Sequence, residues 1–244
     1  MTPDDPEAAL HELLSRYARR EPWELRHPIV ALRAAALMRA LPPKTYRPSG
    51  TRASQIISHQ LKRSHFGLSS PLHEAVTLLE LPEQPGTYDV GPHLASQRQH
   101  ARRALREGVT WSLVRDAAEK EHFLELADAN ERARSGAGYR PEEINLRGLL
   151  ESDLWLAARV DERPLLLTVA AVDGEWSMLR YFVSLESSRV ASSTRYLMTG
   201  VLAEELAARG ARYACDFVSP FRLPSGLRQF SRMVGFRTHR VRVR

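Results

Sequence analysis

The connection at residues 187–194 constrains the fold more than any other part of this sequence. A strand-like run from Trp176 to Leu185 passes through this connection, which reads SSRVASST, into a helix-like run from Arg195 to Arg209. The first N–H groups of a helix lack partners within the helix and carry the positive end of its dipole. A hydroxyl-rich entrance after a strand is therefore a candidate seat for an anion or phosphate. The connection contains no glycine, so its backbone cannot approach a pyrophosphate as closely as a glycine-rich turn can.

The composition is typical of a globular chain that is not secreted. With 244 residues, of which 43% are hydrophobic and 26% charged, the chain can bury one large core or two smaller ones. A single cysteine, Cys215, excludes an internal disulfide framework and a cysteine-rich metal site. The first residues are acidic and polar, unlike a signal peptide, and no apolar run is long enough to span a bilayer. We therefore expect a cytoplasmic protein without membrane insertion.

The chain is basic, with a formal net charge of +6 that comes almost entirely from arginine. A basic balance is compatible with binding to nucleic acid or to an anionic cofactor. A genome that encodes arginine wherever a cation is tolerated explains the same charge equally well. The charge therefore indicates a partner only where arginines cluster.

The first 108 residues have an irregular, mainly helical pattern. The sequence predicts helices over Pro6–Arg19, Ile29–Leu41 and His93–Glu107, a turn-rich loop over Pro42–Gly50 and a strand over Val76–Leu81. We interpret residues 1–108 as a mainly helical N-terminal region.

From Val109 onward the periodicities are cleaner and predict the order β-α-α-β-β-β-α-β-α-β. Turn sequences at residues 161–164 and 173–174 predict two hairpins between the three consecutive strands. The predicted strands are Val109–Arg115, Leu154–Val160, Leu165–Val172, Trp176–Leu185, Arg212–Val218 and Phe236–Val243, and the predicted helices are Ala117–Arg134, Pro141–Leu150, Arg195–Arg209 and Leu227–Val234. Residues 109–244 form the second predicted domain.

This order resembles the GNAT acyltransferase fold, and three segments are similar to its Fem-type and leucyl/phenylalanyl-tRNA–protein transferase branch. The basic segment Tyr88–Val109, the Ala191-Ser192-Ser193 entry to the long helix and the strand Arg212–Phe217 carry this similarity. The closing run GLRQF followed by VGF, at residues 226–236, is similar to the end of many GNAT domains. The resemblance implies an α+β fold with a mixed, mostly antiparallel central sheet flanked by helices. It also implies that residues 1–108 are a helical extension or a truncated GNAT-like unit.

An enzyme of this kind forms an amide by moving an activated acyl or aminoacyl group to an amine. Acetyl-CoA enzymes of the fold usually carry a Gln/Arg-x-x-Gly-x-Gly/Ala turn before the long helix, whereas this chain has RVASST at residues 189–194. The resemblance places the donor at Arg189, Ser192, Ser193 and Thr194. We expect aminoacyl-tRNA as co-substrate, with acyl-CoA as an alternative and no tightly bound cofactor. A non-catalytic module that binds nucleic acid or protein is a third interpretation.

Three residues are candidates for proton transfer, which amide formation needs. Asp216 interrupts an apolar strand near the end where substrates lie in this fold, but it can equally serve a neighbouring loop as a hydrogen-bond acceptor. Glu186 follows the third hairpin strand and can also be an ordinary surface residue. Tyr196 can donate a proton to a leaving group or simply belong to the core.

Two arginine clusters are candidates for binding tRNA. Arg98, Arg102 and Arg106 recur every four residues on one helical face, and Arg240 and Arg242 alternate along the last strand. A solvated helix face and a charged edge strand are the competing interpretations.

The histidines show no spacing typical of a metal site, so we expect no metal. The sequence does not identify the amine acceptor or the oligomeric state.

Overall fold

The computed structural model describes residues 5–17, 26–62, 74–133 and 146–244. Its helices are α1 (Pro6–Tyr17), α2 (Pro28–Ala40), α3 (Arg52–Leu61), α4 (Ala95–Arg106), α5 (Ala117–Ala133), α6 (Arg189–Ala207) and α7 (Ser225–Met233), with short 3-10 helices at Pro92–Leu94 and Leu146–Glu151. Its strands are β1 (Pro43–Tyr46), β2 (Ala75–Glu80), β3 (Thr110–Leu113), β4 (Leu154–Val160), β5 (Arg163–Asp173), β6 (Trp176–Ser184), β7 (Tyr213–Asp216) and β8 (Arg237–Val243). No helix among these residues is both long and apolar enough to cross a membrane.

The chain folds as two compact units. The first unit combines the described residues of Met1–Glu80 with Cys215–Arg244, and the second is the continuous segment Leu81–Ala214. The domain boundary predicted between residues 108 and 109 lies inside the second unit. There α4 packs along α6, and the buried Gln97 of α4 donates a hydrogen bond to the Tyr196 carbonyl of α6. The sequence did not predict this packing, because α4 is rich in arginine and only a narrow side of the helix is buried.

Four strands of the second unit form an antiparallel sheet in the order β3-β4-β5-β6. Asp161 and Glu162 join β4 to β5 with φ angles of 47° and 62°, the positive values that a two-residue type I′ turn requires. Gly174, with a φ of 57°, lies in the turn between β5 and β6. Both predicted hairpins are confirmed.

Helices cover both faces of this sheet. The long buried runs of β4 and β5 are typical of a sheet that is covered on both sides. On one side α5 packs in a core whose members include Phe123, Leu149, Trp155 and Tyr181. The buried side of α6 contacts β4, β5 and β6.

The first unit contains three paired strands and a hydrophobic core. Strand β8 pairs in parallel with β1 and antiparallel with β2. Helices α1 and α2 pack together in a core that contains Leu10, Leu14, Ala34, Met38 and Phe221.

The predicted fold class is confirmed, because the strands pair in a mixed, mostly antiparallel manner and helices flank them. From β3 to β8 the elements follow the predicted order, and most boundaries agree within two residues. Of the predicted helix Pro141–Leu150, residues 141–145 lie outside the described residues, and the 3-10 helix Leu146–Glu151 covers the rest.

Two local predictions were wrong. Residues 43–46 form β1 rather than part of a loop, because they pair with β8, almost two hundred residues later in the chain. Helix α6 begins at Arg189 rather than Arg195. The hydroxyl-rich connection is therefore mostly helix. Ser188 caps the first turn of α6, and the Thr194 hydroxyl donates a hydrogen bond to the Val190 carbonyl.

Candidate functional site at the start of helix α6

Ser188 fixes the start of helix α6. Its extended backbone and its Oγ, which accepts a hydrogen bond of 3.0 Å from the Ala191 N–H, make it the N-cap of the helix. Strand β6 ends at Ser184, so only residues 185–188 connect the sheet to the positive end of the α6 dipole.

Glu186 places a carboxylate in this short connection. Its Oε1 accepts a hydrogen bond of 2.6 Å from the Ser188 hydroxyl, and its Oε2 lies 3.3 Å from the Arg163 Nη1. The side chain keeps 21% of its surface exposed. The start of α6 therefore carries a partly exposed carboxylate that is paired with Arg163.

The four residues predicted to bind the donor divide into two pairs. Arg189 and Ser192 are exposed in the first turn of α6. Ser193 and Thr194 are buried, with 3% and 0% of their surfaces exposed, and the Thr194 hydroxyl donates to the Val190 carbonyl at 2.8 Å. Of the predicted set, Arg189 and Ser192 are thus the two that a ligand can reach directly, and the donor-binding role of all four stays a prediction.

Tyr196, two turns into α6, lies against α4. Its ring stacks on the imidazole of His100, with ring centroids 4.3 Å apart and planes at 16°. Burial raises the pKa of the Tyr196 phenol, and the neighbouring Arg195 opposes this shift. Tyr196 therefore carries its proton at neutral pH, as a proton donor must.

Asp216 belongs to the first unit, at the end of β7. Its Oδ1 accepts a hydrogen bond of 3.1 Å from the Val218 N–H, so the carboxylate takes part in the turn that follows the strand. This is the loop-supporting role that the sequence left open beside acid/base catalysis, and the catalytic role stays a prediction. The adjacent Cys215 is fully buried, which raises the pKa of its thiol and keeps it protonated.

Sequence reasoning missed a β-bulge in β6. Val169 of β5 pairs with Tyr181 and Ala170 pairs with Leu179, which leaves Arg180 as the extra residue. The Arg180 guanidinium donates hydrogen bonds to the Gly148 carbonyl and, at 3.0 Å, to the Ser152 Oγ. The bulge directs the Arg180 side chain toward Gly148 and Ser152. It also changes which face of the sheet the residues between Arg180 and Glu186 point to. An arginine within an apolar strand was the only signal of it in the sequence.

The arginines predicted to bind nucleic acid differ in their surroundings. Arg98 donates to the Asp89 carbonyl and, at 2.6 Å, to the Gly91 carbonyl, so it holds the loop before α4. Arg240 and Arg242 both pair with Glu74, Arg242 at 3.0 Å. Arg102 and Arg106 are exposed on α4. These last two residues are therefore the most accessible cations of the predicted set.

Comparison with known proteins gives similarities in structure alone. No protein-family model matches this chain. No curated protein sequence matches it either. Among solved structures it is similar to the C-terminal DUF2156 domain of a protein described as a lysylphosphatidylglycerol synthetase from Agrobacterium fabrum, with 14% identity, a TM-score of 0.49 and 67% of this chain covered. It is also similar to L-PGS from Bacillus licheniformis, with 13% identity, a TM-score of 0.49 and 68% covered.

A third similar structure is a GCN5-related N-acetyltransferase from Kribbella flavida, with 17% identity, a TM-score of 0.39 and 67% of this chain covered. This chain spans 58%, 59% and 55% of the lengths of these three proteins, in the order given.

Proposed function

We propose that this protein is a transferase that forms an amide, moving an aminoacyl group from aminoacyl-tRNA to an amine. The observation that carries the proposal is the Glu186 carboxylate, held by Ser188 and Arg163 at the start of α6. In the sequence interpretation an acyl-CoA enzyme of the fold would hold a pyrophosphate at residues 187–194, directly after Glu186.

A carboxylate at this position disfavours a phosphate group bound directly at the start of α6. Two like charges 4 to 6 Å apart repel by about 3 to 4 kcal/mol at the effective dielectric of a protein surface. Ion pairing with Arg163 reduces this repulsion, and 21% of the Glu186 side-chain surface stays exposed. The buried hydroxyls of Ser193 and Thr194 add no donors at the open end of the helix. A CoA pyrophosphate would therefore bind poorly here.

The same carboxylate favours an ammonium group. The amine acceptor carries one before reaction, and the aminoacyl group of a charged tRNA carries another at its α-carbon. A charge-assisted hydrogen bond from either group to Glu186 would orient it beside α6. Glu186 then serves as the residue that positions an amine and accepts its hydrogen bond.

The reaction needs no group beyond the two substrates. The ammonium of the acceptor first releases a proton to solvent, and the amine nitrogen then attacks the ester carbonyl of the aminoacyl-tRNA, so that the C–N bond forms and the ester C–O bond breaks. The attacking nitrogen loses a second proton, and the ribose oxygen leaves with one. Tyr196, which burial keeps protonated, is the candidate proton donor to the leaving oxygen.

A transfer assay with radiolabelled aminoacyl-tRNA and a panel of amines tests this function. We expect acid-stable amide product with the wild-type protein and about a hundredfold less with Glu186→Gln. Glu162→Gln is the matched control, because Glu162 is an exposed carboxylate in the β4–β5 turn and is expected to leave transfer unchanged.

Other outcomes would contradict the proposal in distinct ways. Saturable heat on titration with acetyl-CoA, without aminoacyl transfer, would favour the acyl-CoA alternative. Binding of tRNA without transfer to any amine, and without effect of Glu186→Gln, would favour a non-catalytic binding module.

A further inference from the structure

We propose that one face of helix α2 binds the first unit to the surface of an anionic lipid membrane. This exposed α2 face consists of Ile29, Leu32, Arg33, Ala36 and Arg39. Ile29 and Leu32 expose 81% and 73% of their surfaces, more than any other large hydrophobic residues of the described chain. The inference is independent of the function proposed for the start of α6.

The opposite face of α2 already has its partners. Ala34 and Met38 are fully buried and pack with Leu10 and Leu14 of α1. The exposed apolar residues are therefore not needed for the core of the first unit. A helix that is apolar nearly all round is usually covered on both sides, and here the described residues of the chain cover only one.

The charges on α2 follow the pattern of a helix that lies in a membrane interface. At about 100° per residue, Ile29, Leu32 and Ala36 occupy the middle of the exposed face. Arg33 and Arg39 lie at its two opposite edges, where long cationic side chains can reach phosphate groups while the apolar residues enter the acyl boundary. The sequence of α2, PIVALRAAALMRA, contains arginine as its only charged residue type.

The two arginines favour an anionic lipid surface over a second copy of this chain. Guanidinium groups form paired hydrogen bonds with phosphate oxygens, so both edges of the face match lipid phosphates. A second copy of the same face would bring Arg33 and Arg39 against identical cations, which opposes a symmetric dimer. With 13 residues, α2 is too short to span a bilayer and would lie in the plane of the surface.

Vesicle co-sedimentation with the full-length protein tests the proposal. Wild type is expected to bind vesicles of phosphatidylglycerol mixed with phosphatidylcholine and to bind pure phosphatidylcholine vesicles much more weakly. Ile29→Ser combined with Leu32→Ser should weaken binding about tenfold or more, because two apolar side chains no longer enter the interface. Arg33→Gln and Arg39→Gln should each weaken it about fivefold.

Leu105→Ser is the matched control, because Leu105 is 54% exposed on α4 beside Arg102 and Arg106 and lies in the other unit. It should bind vesicles as wild type does, and circular dichroism should show native helix content in every variant. The proposal is overturned if wild type does not bind anionic vesicles or if the double serine variant binds as tightly as wild type. It is equally overturned if sedimentation velocity shows a dimer that the double serine variant abolishes while vesicles bind neither protein.

Discussion

The imidazole of His100 lies flat against the phenol ring of Tyr196, with centroids 4.3 Å apart. This stack joins α4 to α6, and the hydrogen bond from Gln97 Nε2 to the Tyr196 carbonyl, at 3.1 Å, reinforces the same contact. A predicted proton donor is thus held by a helix that the sequence placed in another domain.

Replacing His100 by alanine should lower the pKa of Tyr196. Burial is the main cause of the raised pKa, and removal of the imidazole would let water reach the phenol, moving its pKa back toward 10.0. Titration of tyrosinate absorbance measures this, with the Tyr196→Phe spectrum subtracted in each background. An unchanged Tyr196 titration in His100→Ala would show that the stack does not shield the phenol.

Gly200→Ala should destabilise the protein by about 1 kcal/mol, although alanine is the better helix former. A Cβ at Gly200 would lie 3.2 Å from the Gln97 Nε2 and 3.7 Å from the Tyr88 ring. Gln97 is 2% exposed and bonded to Tyr196, so it has little room to move.

Gly226→Ala in α7 is the matched control, because a Cβ there meets nothing within 4 Å. It should raise the free energy of unfolding by about 0.5 kcal/mol. Urea unfolding of both variants tests the pair. An equal gain in the free energy of unfolding at Gly200 and Gly226 would contradict the tight packing of α4 on α6.

Ser188→Ala should cost about 1 kcal/mol of stability and also reduce transfer activity about fivefold. The variant removes the cap of α6 and the hydroxyl that donates to Glu186. Thr51→Ala provides the comparison, since Thr51 caps α3 by accepting from the Ser54 N–H at 3.1 Å. It should lose similar stability in urea unfolding without loss of transfer. If both variants lost activity equally, general destabilisation would explain the effect.

Stability should fall as the pH falls below about 6.5, in part because of His239. Burial, aided by the nearby Lys44 and opposed by Glu80, lowers the pKa of His239 from 6.5 in the folded state. In the window from 6.5 down to the lowered value, the unfolded chain binds a proton that the folded chain does not, so acid favours unfolding. His11 of α1, whose pKa is also lowered mainly by burial, adds to the same trend.

His239→Gln should therefore make the free energy of unfolding less dependent on pH in this window, as measured by urea unfolding at several pH values. His122→Gln, at an exposed position on α5, is the control and should keep the wild-type dependence. A His239→Gln protein with the full wild-type pH dependence would exclude the contribution of His239.

If the protein binds tRNA, Arg102 and Arg106 should contribute more than Arg240 and Arg242. Replacing the first pair by glutamine should reduce the slope of log affinity against log salt by about 2, or about 1 for each lost phosphate contact. Arg240 and Arg242 share the Glu74 carboxylate, so their replacement should change the slope less. Filter binding at several salt concentrations compares the two double variants, and equal slopes would contradict this order.

Local sequence signals predicted those parts of the fold that local interactions determine. The turns at Asp161-Glu162 and Gly174 were recognisable because positive φ angles restrict the residues that form tight hairpins. Strand β1 was missed because its pairing partner β8 is distant in sequence and because it begins with Pro43 and Lys44, residue types that are depleted in strands. The bulge at Arg180 was missed because register is a property of the strand pair.

The candidate site shows the same division. The sequence pointed to the connection before α6 and to Glu186 as candidates, but the serines and threonine of the connection indicated a loop, whereas Ser188 caps a helix that begins at Arg189. Burial of Ser193 and Thr194 follows from the packing of α6 on the sheet, which hydroxyl-rich composition alone does not indicate. The pairing of Arg240 and Arg242 with Glu74 likewise joins residues more than 160 positions apart.

The parallel pairing of β1 with β8 determines the order in which a growing chain can fold. The second unit is continuous from Leu81 to Ala214 and can fold as soon as the ribosome releases it. In the first unit, residues 43–46 of β1 pair with residues 240–243 of β8. This pairing cannot form until β8, the last strand, has been synthesised. During that interval the core around α1 and α2 lacks Phe221, so part of its apolar surface stays uncovered. Chaperone capture during translation is therefore expected at the first helices to emerge.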